Sequence, residues 1–367
     1  MTYKVPFVNY KDQYKVLKIP IQKAISRVLS EGQLILREDV LEFEKNLAKF
    51  VDVKYAIGVA SGTDALMLSL RAAGIGPGAE VITVAHTFLA SIASIVHTGA
   101  TPVLVDIGDD YLMDARLIEK AITKRTKAIM PVHLNGRVCE MDAIIKIAKK
   151  YRLSIIEDAC QALGASFKGK RAGSFGIAGC FSFYPAKILG AYGDAGAVVT
   201  NNKRIYERIR LYRDHGRKTK DKFVCYGVTS RLDNIQAAVL NVKFKYINQW
   251  ILRRKMLARL YAKELGKVKE VTLPPFPDKN RDDVFQNFVI RAKRRDELKA
   301  YLTEQRIETI VSNPIPLNKQ KELKLSQFSL PKTENFASDV ISLPMIPELT
   351  DRQIQYVMKQ IRTFYHI

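Results

Sequence analysis

Between residues 54 and 158, short apolar segments alternate with longer segments whose apolar residues recur every three or four positions. Short segments such as EVITVA and TPVLVDI contain continuous apolar runs, VITVA and PVLVDI, rather than apolar residues at every second position. Continuous apolar runs are typical of strands covered by helices on both faces, and alternating strands and helices are typical of parallel sheets. We therefore predict an α/β fold with a mostly parallel central sheet flanked by helices.

The pattern changes near residue 250. Longer amphipathic helices follow, among them QWILRRKMLARLYAKEL and TDRQIQYVMKQIRTFY, and Pro-rich connections such as LPPFPD and SLPMIP separate them. A chain of 367 residues also exceeds the roughly 250 to 300 residues that one core serves. We predict a large α/β domain over residues 1–250, which includes an N-terminal helix, and a smaller α+β domain over residues 251–367.

Composition narrows the class of protein. No apolar run approaches the roughly 18 to 20 residues of a membrane helix, and the N-terminus lacks the apolar core of a signal peptide, which predicts a cytoplasmic protein. The four cysteines are widely spread, with no Cys-x-x-Cys pair and no histidine cluster, so we expect reduced thiols, no disulfide framework and no metal site.

The net charge of +22 would suit a polyanion or an anionic small substrate. The basic residues are scattered along helical segments and no nucleic-acid motif accompanies them. We therefore favour a solvated basic surface over nucleic-acid binding.

Two segments resemble nucleotide-binding motifs but do not match them. The segment GASFKGKR has the spacing of a P-loop, but Arg171 stands where a Ser or Thr would hold magnesium. The segment GIGPG follows a helix rather than a strand, so it is interpreted as a helix end and turn instead of a dinucleotide fingerprint.

Lys187 is a charged residue in a segment of mostly aromatic, aliphatic and small residues, FSFYPAKILGAYGDAGAVVT at residues 181–200. An unpaired ammonium inside a protein is costly, and a desolvated lysine becomes a neutral, nucleophilic amine able to form an imine with an aldehyde. The alternative is an ammonium that reaches the surface, although no helical stem is predicted along which it could do so.

Two further elements could act with Lys187. The segment GVASGT ends a strand and opens a helix, which offers hydroxyls and free N–H groups for a phosphate; a plain helix cap is the alternative. Asp158 ends the strand LSIIEDA at the edge where α/β sheets bind ligands, and it could also cap the next helix. Together, a phosphate cup, an aspartate for a pyridinium nitrogen and a Schiff-base lysine predict pyridoxal phosphate.

The sequence resembles the nucleotide-sugar aminotransferases of the DegT/DnrJ type, which are fold-type I pyridoxal phosphate enzymes. The resemblance covers nearly the whole chain, and it rests on these motifs in order: SGTDAL, ITVAHTFLAS, GATPVLVDI, IIEDACQALGA, FSFYPAKILGAYGDAGAVVT, RDHGR and TSRLDNIQAAVL. NPIPLN and SLPMIPEL extend it into the C-terminal part.

The resemblance implies a role for each matching residue. Lys187 would form the Schiff base and carry a proton as base and acid, and Asp158 would pair with the ring nitrogen. The remaining positions would bind the cofactor: Gly62, Thr63 and Ser182 its phosphate, Phe88 its ring face, Gln161 its ring hydroxyl, and Thr229 the phosphate of a partner subunit across a homodimer interface.

Several positions depart from the family pattern. Thr229 stands where the family usually has a longer Asn, which puts the contact with the partner's phosphate in doubt. Leu163, Ile188 and Asn318 replace a His, an Asn and a His, at positions where substrate selection is plausible, so an uncommon sugar is expected.

The expected reaction moves an amino group, from glutamate, onto a keto carbon of a nucleotide-linked sugar. The start of the chain and TSRLDNIQAA look more like the branch acting on 3-keto-deoxyhexoses. The RDHGR loop, with Arg213, His215 and Arg217, offers candidate substrate contacts. A 4-keto sugar, a keto-uronic acid and a non-catalytic, cofactor-binding regulator remain alternatives.

Overall fold

A computed structural model describes residues 3–366 of the chain. The α-helices are α1 Tyr10–Ser30, α2 Glu38–Val51, α3 Gly62–Ala72, α4 Ala90–His97, α5 Ala115–Ala121, α6 Met141–Tyr151, α7 Lys203–Tyr212, α8 Asn234–Phe244, α9 Ile247–Leu265, α10 Arg295–Glu304, α11 Pro331–Asp339 and α12 Asp351–Phe364. Short 3₁₀ helices cover Leu134–Gly136, Leu317–Lys319 and Lys321–Leu323.

The strands are β1 Tyr55–Val59, β2 Glu80–Val84, β3 Thr101–Val105, β4 Thr126–Ile129, β5 Ser154–Asp158, β6 Ser166–Phe167, β7 Lys170–Arg171, β8 Ala178–Ser182, β9 Gly196–Thr200, β10 Arg217–Thr219, β11 Lys222–Phe223, β12 Val271–Thr272, β13 Arg281–Asp282, β14 Phe288–Ala292 and β15 Val340–Leu343.

Seven strands form the central sheet in the order β1-β9-β8-β5-β4-β2-β3. Strand β9 runs antiparallel to both of its neighbours, and the other neighbouring pairs are parallel. Parallel strands need a crossover, whereas antiparallel neighbours need only a loop. The loop from 183 to 195 returns the chain from β8 to β9 and carries Lys187. The predicted, mostly parallel α/β sheet is confirmed.

Helices cover the sheet on both faces, which explains why most positions in its strands are buried. One buried cluster includes Phe43 and Leu47 of α2 on one face, and another includes Leu66 and Leu70 of α3 on the other. Strand β2 is buried at all five positions, because it lies between β4 and β3 with helices above and below.

A second apolar core surrounds the three-stranded sheet β12-β14-β15 with α10 and α12. Helix α9 belongs to both cores: Ile251 packs in the core of the large sheet, while Leu257 and Tyr261 pack in the second. Val5, near the N-terminus, also packs in the second core. The division at residue 250 stays a prediction, and its residues 1, 2 and 367 lie outside the described residues.

Strands β1, β2, β5 and β8 all point toward one edge of the sheet. Their carboxyl ends therefore bring the start of α3, the start of α4, Asp158 and Ser182 to this edge. The loop before β9 begins and ends there as well. Open α/β sheets bind ligands at such an edge.

Candidate active site

A cleft of about 570 Å³ lies at this edge. Its walls come from the ends of β1, β5 and β8, from the loop that carries Lys187, and from Gln286 and Asn287 just before β14. The cleft is thus lined from both apolar cores, and it has the size of a site for a small molecule.

The start of α3 forms one end of the cleft. Ser61 caps this helix by accepting a hydrogen bond from the N–H of Asp64 at 3.1 Å. The N–H groups of Gly62 and Thr63 belong to the first turn, where no earlier helical carbonyl can accept them. Together with the helix dipole, they create a site that favours a phosphate.

Gly62 is required by the approach of α3 to β8. A Cβ added at Gly62 would lie 2.7 Å from the Cβ of Ser182 and 3.0 Å from the Sγ of Cys160. Glycine therefore allows β8 to approach the first turn of α3 closely at Ser182. The three predicted phosphate-binding residues, Gly62, Thr63 and Ser182, all line the same cleft.

Asp158 ends β5 with 6% of its surface exposed. Its Oδ2 accepts a hydrogen bond from the Ser91 hydroxyl at 2.6 Å, and its Oδ1 accepts the N–H of Cys160 at 3.2 Å. The Ser91 hydroxyl in turn lies 2.6 Å from that of Thr87. These donors stabilise the negative charge and leave further lone pairs for a cationic ligand in the cleft.

Lys187 lines the cleft with Asp158. Within residues 3–366, its ammonium has neither a hydrogen bond nor an ion pair. Burial lowers the pKa of Lys187, against weaker opposing effects of Cys160 and Asp158. A lowered pKa increases the fraction of neutral amine, which is the nucleophilic form.

Phe88 and Gln161 also border the cleft. Phe88 is 69% exposed and thus lies outside the core, so its ring is free to stack on a planar ligand. Gln161 accepts the N–H of Asn135 through its Oε1 at 2.9 Å, which leaves its amide N–H groups to bond a ligand.

Thr229 does not line the cleft of its own chain. Its Oγ1 lies 2.9 Å from the Nε2 of His215 in an exposed position. Any contact of Thr229 with a cofactor would therefore be made in a second subunit, as the resemblance implies.

Arg213 is not available to a substrate, contrary to expectation. Its guanidinium is buried, and it donates to Glu44 at 2.5 Å and to the carbonyl of Gly58 at 2.8 Å. A buried cation needs such partners, so this residue secures β1 rather than the cleft.

Thr87 and Ser91 were not predicted as site residues from the sequence. The two hydroxyls stand four residues apart where the chain passes from β2 into α4, with Ser91 in the first turn of the helix. That spacing, next to a strand end, is a signal that could have identified them.

Glu157 was not predicted either; it lies next to Asp158 but faces the opposite side of β5. Its buried carboxylate accepts the N–H groups of Gly173, Phe175 and Gly176, each at 2.7 Å. The Nε2 of His133 lies 3.0 Å away, while its Nδ1 accepts the N–H of Cys139, so the ring proton is on Nε2. Glu157 therefore secures the chain beside the cleft.

The residues present fit pyridoxal phosphate. The buried amine without a partner suits its aldehyde, the hydrogen-bonded carboxylate suits its ring nitrogen, and the first turn of α3 suits its phosphate. Fold and site thus define the class of fold-type I pyridoxal phosphate-dependent enzymes.

The chain belongs to the DegT/DnrJ/EryC1/StrS aminotransferase family, whose sequence profile matches residues 17–362. It is 41% identical over 366 residues to the dTDP-3-amino-3,4,6-trideoxy-alpha-D-glucose transaminase of Streptomyces venezuelae, with 98% of this chain and 96% of the relative covered. It is 42% identical over 366 residues to a protein of Geobacillus stearothermophilus named a pleiotropic regulatory protein, with 98% of each covered.

Among solved structures, the crystal structure of DesV from S. venezuelae in complex with a ketimine intermediate superimposes with a TM-score of 0.96. The two chains are 40% identical and each is covered completely. The expected family, fold and cofactor are confirmed, and the chain is a pyridoxal phosphate-dependent sugar aminotransferase. Within residues 3–366, no helix is long and apolar enough to cross a membrane.

Proposed function

We propose that this enzyme transfers an amino group from glutamate to the C3 keto group of a neutral, nucleotide-linked deoxyhexose. The observation that carries the proposal is the amine of Lys187, which lacks a partner within the described residues, in the same cleft as the hydrogen-bonded carboxylate of Asp158. A free amine and a carboxylate of this kind are both needed for transamination.

The roles of individual residues follow from their positions. Gly62, Thr63 and Ser182 would bind the cofactor phosphate, Phe88 would stack on the ring, and Gln161 would bond the ring hydroxyl. Asp158 would hold the ring nitrogen protonated, and Ser91 would fix the carboxylate. Thr229 would reach the phosphate in a partner subunit.

Pyridoxal phosphate supplies an aldehyde that binds amines and a cationic ring that accepts the electrons of a substrate carbanion. Lys187 would hold the cofactor before substrate arrives and would then act as a free amine. Its lowered pKa favours the neutral form, which can take a proton from one carbon and return it to another. Thr87, through Ser91, would keep Asp158 in one orientation during the transfer.

A neutral sugar suits the charges of the cleft. An adjoining cavity of about 260 Å³ shares Thr87, Phe88 and Gln161 with it, and adds Asn135 and Ser312. Among residues 3–366, Lys187 is the single Lys or Arg that lines either cavity. Amides and hydroxyls recognise sugar hydroxyls, whereas a uronic acid would call for a cation. The similarity to a transaminase named for a 3-amino sugar supports the C3 position.

A homodimer is part of the proposal. Phe88 and Tyr184 are exposed beside the cleft, and Phe223 and Tyr226 are exposed near Thr229. Exposed apolar side chains in such numbers are typical of an interface, and a second copy would cover them and bring Thr229 to the neighbouring cleft. The proposed location is the cytoplasm.

To test the proposal, purified protein is incubated with pyridoxal phosphate, glutamate and a panel of dTDP- and UDP-linked sugars. The panel contains 3-keto hexoses, 4-keto hexoses and 3-keto uronates, and the products are identified by mass spectrometry. We expect amination of neutral 3-keto hexoses, unchanged by a metal chelator. Faster conversion of the 4-keto sugars or of the uronates would refute the assigned position or the neutral class. No turnover of any sugar would favour the regulator.

Lys187→Ala tests the central residue. We expect no amination and, after borohydride reduction, no cofactor-labelled peptide, because no second lysine of the described part of the chain lines the cleft. Lys49→Ala, which removes an exposed lysine on α2, is the matched control and should retain both activity and label. A labelled peptide elsewhere in the Lys187→Ala variant would contradict the assignment.

A further inference from the structure

The two peptide groups that flank Lys187 are held by one side chain. The Oε1 of Gln286 accepts the N–H of Ile188 at 2.9 Å, and its Nε2 donates to the carbonyl of Ala186 at 2.9 Å. Oxygen and nitrogen of the amide are distinguished by these partners, since one is a donor and the other an acceptor. Gln286 therefore bonds the chain immediately before and immediately after Lys187.

Few other hydrogen bonds fix the backbone immediately around Lys187. The N–H of Lys187 donates to the carbonyl of Tyr184 at 2.8 Å, and Ala191 returns to Phe183 at 2.8 Å. Residues 184–192 form neither helix nor strand. A lysine side chain is a flexible four-carbon stem, so the position of its amine depends on where the loop directs the Cα–Cβ bond.

Gln286 is itself fixed by the buried guanidinium of Arg254. Arg254, on α9, donates through its Nη1 to the carbonyls of Phe285 at 3.1 Å, Gln286 at 3.0 Å and Met345 at 2.5 Å. It has no ion pair within the described residues and is 3% exposed. An arginine buried in this way serves to hold main-chain carbonyls in place.

The chain around Gln286 also packs closely against Gly136, at the end of the 3₁₀ helix Leu134–Gly136. Gly136 has φ +90°, and its carbonyl accepts the N–H of Val284 at 2.9 Å. A Cβ at Gly136 would lie 2.8 Å from the nitrogens of Phe285 and Gln286. The segment from 284 to 287 is therefore held on both sides.

We propose that Gln286 is a positioning residue for transamination, which sets the orientation of Lys187 by bonding the peptides on either side of it. The inference rests on the proposed role of Lys187. Arg254 extends the arrangement, because it places Gln286 from the side of the second core.

The test compares Gln286→Leu with Gln236→Leu. Gln236 bonds the same loop in the same way, with its Oε1 accepting the N–H of Tyr192 at 2.9 Å and its Nε2 donating to the carbonyl of Tyr192 at 3.2 Å. It lies outside the cleft and does not flank Lys187. If loop stability alone mattered, the two variants would behave alike.

The first readout uses the protein without cofactor. Competitive amine labelling across a pH series, with mass spectrometry of the Lys187 peptide, reports how readily this amine loses its proton. We expect the titration of Lys187 to move toward that of a free lysine in Gln286→Leu, since a released loop admits water. Gln236→Leu should keep the wild-type titration.

The second readout is the turnover of the reconstituted enzyme. Misplacing a reacting group by about 1 Å costs on the order of 100-fold in rate, so kcat should fall by roughly 10- to 100-fold in Gln286→Leu while KM changes little. Gln286→Glu keeps the shape and the acceptor for Ile188 but loses the donor to Ala186. It should lose kcat as well, and it remains informative should the leucine variant not fold.

Equal titrations and equal kcat values in Gln286→Leu and Gln236→Leu would overturn the inference. Failure of the proposed function gives a different result, since a reduced cofactor label would then appear away from Lys187 in the wild-type enzyme. The label on Lys187, with unchanged behaviour of both glutamine variants, would leave the catalytic lysine in place and remove Gln286 from its positioning role.

Discussion

The hydrogen bond from Ser91 to Asp158 should contribute a measurable part of the free energy of unfolding. The Ser91 hydroxyl is fully buried, and it donates to Oδ2 of Asp158 at 2.6 Å. A hydrogen bond to a charged group contributes about 1.5 to 3 kcal/mol, roughly twice that of a neutral one. Ser91→Ala also removes the partner of the Thr87 hydroxyl, so we expect the free energy of unfolding to fall by about 2 to 3 kcal/mol.

Ser94→Ala provides the control on the same helix. Ser94 is equally buried, but its hydroxyl donates to the carbonyl of Ser91 within α4, a local bond to a neutral acceptor. Its loss should cost about 1 kcal/mol. Both variants remove one oxygen from a buried site, so the difference between them measures the contribution of the charged acceptor together with that of the Thr87 contact.

Urea unfolding of both variants and of Asp158→Asn, alone and combined with Ser91→Ala, completes the assay. We expect a coupling free energy of at least about 1 kcal/mol between positions 91 and 158. Affinity for pyridoxal phosphate should fall in Ser91→Ala and not in Ser94→Ala. A Ser91→Ala variant no less stable than Ser94→Ala, with additive double mutants, would refute the reasoning.

Three further changes have defined outcomes. Burial lowers the pKa of Lys243 from its ordinary 10.5 to about 8, so the unfolded chain holds this proton more tightly than the folded one. The free energy of unfolding of the wild type, relative to that of Lys243→Met, should therefore rise by about 3 kcal/mol from pH 8 to 10.5. Urea unfolding at each pH measures this difference. Gly62→Ala should weaken cofactor binding at least about 10-fold in an absorbance titration, because its Cβ would push α3 away from Ser182. Glu157→Gln should lower the free energy of unfolding by about 3 kcal/mol, since its amide turns a donor toward N–H groups that need an acceptor; unchanged urea midpoints would contradict this.

Much of the fold could be predicted from local pattern. The runs EVITVA and TPVLVDI became β2 and β3, because a strand covered by helices on both faces is rich in apolar residues. Lys187 and Asp158 were identifiable for a related reason: an ionisable residue inside an apolar run is costly there unless it has a function. The position of Gly62 and Thr63 after a strand and at the start of a helix predicted the site at α3.

Other features depended on distances that no local pattern encodes. Arg213 was a candidate substrate contact by its motif, yet the packing of β1 turned it to Glu44 and Gly58. Helix α9 crosses the predicted boundary at residue 250, because one amphipathic helix can bury its two halves in different cores.

By itself, the sequence determined the alternation of strands and helices, the class of cofactor and the two residues on which the chemistry is proposed to depend. Each of these follows from interactions within a few residues, or from the cost of placing a charge in an apolar segment. Only the tertiary structure brought Ser91 to Asp158, 67 residues away, and Gln286 to the peptides beside Lys187, about 100 residues away. Such contacts depend on how the sheet edge and the second core come together, and a hydrogen bond forms only when that packing places its donor within about 3 Å of its acceptor.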